Sequence, residues 1–151
     1  MSNVLPIDVA QYIIDFFKKA NKDITTIKLQ KLVFYSQVWS LVWDDEPLFD
    51  EDFEAWVNGP VSLFHKLKGF YFCPSKVVSA NIERLSSNQK DTIDHVIEYY
   101  GSYSSSELVQ LTHSEDPWKK ARTGLSINEP SHNIIPKEEI LSFYMTQQSN
   151  E

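Results

Sequence analysis

The stretch from Ile27 to Trp43 constrains the fold more than any other part of this chain. Leu29, Leu32, Val33, Ser36, Trp39 and Trp43 recur at helical three-and-four spacing. Phe34, Tyr35, Val38, Leu41 and Val42 widen the apolar arc beyond a single stripe. A helix apolar over so much of its circumference must be packed on more than one side, so it predicts a central helix with others around it. Thr25 or Thr26 supplies the side-chain oxygen that caps its start. Lys28, Gln30, Lys31 and Gln37 mark its expected wetter side.

The rest of the chain supplies the partners. Ile7 to Ala20 reads as an amphipathic helix with Val9, Tyr12, Ile13, Phe16, Phe17 and Ala20 on one face. Pro6 suits its first turn, and Lys18 and Lys19 suit the negative end of its dipole. Ser86 to Gln89 is a capping box opening a helix through Tyr100, with Gly101 as its stop. Ser104 to Glu107 is a second capping box, opening a short helix through Leu111. Ser114 or Asp116, with Pro117, restarts another through Arg122. A short strand is expected at Asn133 to Ile135, then a last helix from Pro136 that frays from Gln147. Phe70 to Phe72 reads as loop or helix end. The expected fold is mainly α: a compact single-domain multi-helix bundle over 1–151, core about 7–146, with one or two very short β-strands. A chain of 151 residues with 13% aromatics can build that core without a disulfide, and the sole cysteine, Cys73, could not form one within the chain.

One segment breaks the helical pattern. In Glu54-Ala55-Trp56-Val57-Asn58-Gly59-Pro60-Val61, Ala55 and Val57 alternate with polar or amphipathic neighbours as in a strand. Gly59 then permits an unusual turn, and Pro60 has φ preset for a first helical position. The spacing therefore predicts a strand followed at once by a helix through Leu67, carrying His65 and ending before Gly69.

Charge separates the possible partners. The net charge is −7, and the run Asp44 to Glu54 holds seven acids and no base. The rest of the chain is balanced, so no Lys/Arg footprint for nucleic acid exists. An electrostatically steered partner would be basic, with Asp50 and Asp52 as candidate contacts, although a solvated loop explains the acid equally well. The N-terminus lacks a signal-peptide pattern and no apolar run spans a membrane, which predicts a cytoplasmic protein.

Catalytic and metal patterns are weak. The four histidines show no metal-ligand spacing, and the acidic run lacks the ligand alternation of a calcium loop. No metal or cofactor is expected. Leu111-Thr112-His113-Ser114-Glu115-Asp116-Pro117-Trp118 gathers Thr, His, Ser and Asp. Triads are recognised in space, not by adjacency. Helix ends need polar groups for their free N–H donors, and capping explains this segment better, with Trp118 anchoring the second helix.

Ile27 to Tyr35, Glu54 to Val61 and Leu111 to Trp118, in this order and spacing, resemble the Panacea domain, the SocA-like or GepA-like family of phage- and prophage-associated proteins. The resemblance runs from about Val9 to Tyr144. It implies a mainly helical domain that is no enzyme. It implies an antitoxin of a type II toxin–antitoxin pair, neutralising by direct binding a cognate protein toxin encoded by an adjacent gene. Alternatives are a proteolytic adaptor handing the toxin to a ClpXP-type protease, and a small hydrolase using His113 and nearby acids. Many members carry an extra N-terminal domain, sometimes DNA-binding. This chain starts almost at its first domain helix, so none is expected, nor autoregulation. Carried over by motif position, the candidate contacts are Trp56, Asn58, Gly59, Pro60, Thr112, His113, Asp116 and Trp118.

Overall fold

In the computed structural model, which describes residues 3–62 and 70–149, helix α1 (Pro6–Lys19) leads into helix α2 (Thr26–Trp43). Strands β1 (Phe53–Trp56) and β2 (Gly59–Val61) follow. After a 3-10 turn at Ile82–Arg84 come helices α3 (Ser87–Tyr100), α4 (Ser105–Ser114) and α5 (Asp116–Ala121). Strand β3 (Ile134–Ile135) and helix α6 (Lys137–Ser149) close the order. The fold is mainly α, with six helices and a small antiparallel sheet of order β2-β1-β3 among the described residues.

Helix α2 is the central element. It packs against α1, α3, α4, α6 and β2. Leu29, Leu32, Val33, Phe34, Tyr35 and Val38 are fully enclosed, in one apolar cluster that draws on nearly every element. Thr25 caps it, accepting a hydrogen bond from the Lys28 N–H at 3.1 Å. Both expected capping boxes form, at Ser86 with Gln89 and at Ser104 with Glu107.

The wetter side of α2 does not exist as expected. Gln30, Lys31 and Gln37 are buried, and only Lys28 stays partly open. A helix surrounded by five elements has no free face, so its polar residues find partners inside. Gln37 shows how. Its amide donates to the Phe49 carbonyl at 2.8 Å and accepts from the Leu48 N–H at 2.7 Å. Leu48 and Phe49 are fully buried, so the acidic run is pinned at its middle and is not simply a solvated loop. Trp43, in the last turn of α2, is 44% exposed. In α1 the expected Val9, Ile13 and Phe17 are buried, with Ile7, Ala10 and Ile14 beside them, while Phe16 and Ala20 face solvent. Helix α6 runs to Ser149, past the expected fraying point.

A second correction concerns Pro60. It lies in β2, paired with Ala55, and not at a helix start. Pairing of Trp56 with Gly59 makes 53–61 a hairpin whose turn is Val57-Asn58. Neither turn residue has positive φ, so Gly59 at φ +114° completes the reversal. Local geometry at Gly-Pro permits either outcome, and pairing with β1 decides for the strand. The small sheet therefore has three strands. The rest of the expected helix, with His65 and Gly69, lies outside the described residues.

Candidate functional site

The three sequence motifs converge. The β1–β2 hairpin is set between α2 and the junction of α4 with α5, and each motif supplies one wall. Gly59 is the contact point. A Cβ there would lie 2.5 Å from Lys31 Cε of α2 and 2.8 Å from Thr112 Oγ1 of α4. The absence of a side chain thus lets the β2 backbone seat on both helices at once.

Donors from α5 and the residue after it hold the hairpin from the far side. Trp118 Nε1–H donates to the Trp56 carbonyl at 2.7 Å. Arg122 Nη1 donates to the Ala55 carbonyl at 2.8 Å, and its other nitrogen reaches the Ser126 and Glu129 carbonyls. The guanidinium lies over the Trp118 ring, and the His113 ring stacks on the opposite residue of the motif, Trp118, at 3.9 Å and 13°. Trp118→Phe keeps an aromatic ring but removes the donor to the Trp56 carbonyl. We expect a loss of about 1–3 kcal/mol in urea unfolding. An unchanged midpoint would mean that this bond adds nothing net.

The polar groups of the cluster sit in unusual electrostatic surroundings. Lys31 is enclosed, with 1% of its surface exposed, and burial alone drops its ammonium to about 7. Burial also lowers His113, and Lys31 and Arg122 push the same way, while the Val57 backbone opposes them. His113 Nε2 and Ser62 Oγ are buried without a hydrogen-bond partner among the described residues.

The expected capping role of the 111–118 segment is not what the structure uses. Thr112 Oγ1 donates to the Val109 carbonyl at 3.0 Å and Ser114 Oγ to the Leu111 carbonyl at 2.7 Å, both at the end of α4. No side chain caps α5. Glu115 turns inward instead, where one carboxylate oxygen accepts from Tyr35 and Tyr144 hydroxyls, each at 2.6 Å. Burial raises its carboxyl, and the two hydroxyl bonds work against that rise.

Of the candidate residues, Trp56, Gly59, Thr112, His113 and Trp118 come together. Pro60 is buried beside Gly59. Asn58 stands exposed at the hairpin tip. Asp116 is half-exposed at the start of α5 and pairs with Lys119 at 3.5 Å. Asp50 and Asp52 stand apart, at the other end of β1, where Lys137 Nζ binds the Asp50 carbonyl at 2.8 Å and the Asp52 carboxylate at 2.7 Å. Sequence reasoning missed Lys31, Glu115 and Arg122. Lys31 lies within the first motif, which was the available signal. Glu115 likewise lies within the third motif, and nothing local marked Arg122. The arrangement is a packed polar lock, not an open cleft. Among the described residues no His/Cys/Asp/Glu group could hold a metal ion, and no helix is long and apolar enough to cross a membrane.

A family model described as antitoxin SocA-like, Panacea domain, matches residues 29–119. That span contains the hairpin, α2 from its first buried leucine and the α4–α5 junction through Trp118. No curated protein and no solved structure matches the chain significantly.

Proposed function

The chain belongs to the SocA-like, Panacea-domain family of antitoxins, and from that premise we propose that it neutralises a cognate protein toxin by direct binding, as the antitoxin of a type II pair. The family match over residues 29–119 carries this reading. The toxin would be encoded beside it, and the two would meet in the cytoplasm. Neutralisation here is binding, not catalysis: the motif residues are spent on packing the hairpin, and their polar groups converge on each other.

We divide the candidate residues by role according to their burial. Gly59, Pro60, Thr112 and Trp118 are buried and act by holding the hairpin in place. Trp56, Asn58 and Asp116 retain accessible surface, with His113 between the two groups, and these can touch a partner. Asp50 and Asp52 offer charge to a basic toxin at the opposite end of β1.

The test is co-expression of the adjacent gene with this protein, read as growth rescue and as co-purification. The expected result is rescue with a stable complex and unchanged toxin abundance. Rescue without a complex overturns the reading. A toxin that disappears only when ClpXP is present identifies an adaptor instead. His113→Ala that leaves rescue and complex intact removes His113 from the contact set.

A further inference from the structure

A second surface, away from the motif cluster, has the chemistry of a binding site. Trp39, Trp43, His95, Glu98, Tyr99 and Tyr100 line a groove of about 360 Å³ between the C-terminal end of α2 and the outer face of α3. Trp43 and Tyr99 leave large aromatic surfaces open, 44% and 61% exposed. Most large apolar side chains of this protein are enclosed, so two open aromatic rings in one groove need a reason.

The walls are ordered. Trp39 and Trp43 stack at 5.0 Å, and His95 meets the Trp43 ring edge-on at 6.1 Å. Trp39 Nε1–H donates to the Tyr100 hydroxyl at 2.9 Å, which fixes the groove floor. The Tyr100 ring in turn stacks on Tyr35 at 4.1 Å, tying the floor to the core.

The helix end and two carboxylates favour a cation, although His95 also lines the groove. The groove lies at the C-terminus of α2, where the unpaired carbonyls carry the negative end of the helix dipole. The last turn of α2 has no basic residue to offset it. Asp44, directly after Trp43, adds a carboxylate that accepts from Thr92 of α3 at 2.7 Å. Glu98 lines the groove and is exposed, and among the described residues its carboxylate has neither hydrogen bond nor ion pair. A ring face attracts a cation, and a free carboxylate beside it selects a planar guanidinium that can stack and fork together.

We propose that this groove binds an arginine-bearing apolar segment of the partner protein, with the guanidinium on the Trp43 face and paired to Glu98. The identification of that partner with the toxin rests on the function proposed above; the groove chemistry does not.

The probe is a fluorescein-labelled peptide, Arg-Leu-Leu-Arg-Leu-Leu with blocked ends, followed by anisotropy, beside Glu-Leu-Leu-Glu-Leu-Leu. The expected result is saturable binding of the arginine peptide alone. Glu98→Lys and Trp43→Ala should each weaken it at least tenfold, and Glu98→Gln severalfold. Glu138→Lys, the same charge change on α6, should leave it unaltered. Circular dichroism confirms that each variant is folded. Equal binding of the glutamate peptide, equal loss in Glu138→Lys, or no binding by the folded wild type overturns the site. Full growth rescue and complex formation by Trp43→Ala and Glu98→Lys would overturn its use by the toxin. Failure of the antitoxin reading itself shows separately, as a wild-type protein that forms no complex with the toxin.

Discussion

Gly59→Ala is expected to destabilise the protein by about 2–5 kcal/mol. Two independent terms contribute. The residue has φ +114°, which costs any side-chain-bearing residue roughly 1–3 kcal/mol. The new Cβ would also meet Lys31 Cε at 2.5 Å and Thr112 Oγ1 at 2.8 Å. A lysine end on the surface would swing away, but Lys31 is enclosed and Thr112 is fixed to the Val109 carbonyl. Overpacking of this kind costs about 1–3 kcal/mol. The two terms separate in a double-mutant cycle. Lys31→Ala should relieve the steric part of the Gly59→Ala penalty and leave the conformational part. Strictly additive losses in urea unfolding would show that the clash contributes nothing.

Lys31→Met is expected to act in the opposite direction, stabilising the protein at neutral pH by about 1–4 kcal/mol. The lysine has an ammonium value of 10.5 when exposed and about 7 in the fold. Above 10.5 it is neutral in both states and burial carries little penalty. Between 10.5 and about 7 the unfolded chain takes up a proton that the folded chain does not. Stability therefore falls as pH falls through that window and stays at the lower level below it. The wild type should gain stability from pH 7 towards pH 10, and the methionine variant should lack this gain. Its advantage should thus be greatest near neutrality and shrink with rising pH. Urea midpoints of both proteins across that range read the difference directly. Parallel curves would mean that Lys31 keeps an ordinary ammonium. Methionine matches the length of the lysine stem, so the variant also tests whether the charge serves toxin rescue or only the packing.

Gln37, Lys31 and Gly59 show where reading the chain in order stops working. The helices were legible because apolar spacing and capping chemistry are local. Ser86 with Gln89 and Ser104 with Glu107 signal a start whatever lies around them. The wet side of α2 is absent because polarity does not bring exposure on a helix that five elements surround. Gln37 is instead enclosed by the loop it pins, its side-chain amide hydrogen-bonded to Leu48 and Phe49. The Gly-Pro start failed for a related reason. Its dihedral preferences suit a helix as well as a strand, and Ala55 opposite Pro60 settles the choice. Membership of the antitoxin family was readable from three motifs, and the match over residues 29–119 agrees with them. That these motifs meet around one glycine was not readable.

Periodicity, caps and motif order alone were sufficient for the helical class, the central helix and the family, because periodicity and caps depend on residues within a few turns of one another and motif order is read directly along the chain. Packing decided the rest: the burial of Lys31, the inward turn of Glu115 onto Tyr35 and Tyr144, and the Arg122 and Trp118 bonds to β1. These contacts join segments distant in the chain. A polar side chain's environment there is set by whichever backbone carbonyl or hydroxyl the fold brings alongside it, and no neighbour in sequence carries that information.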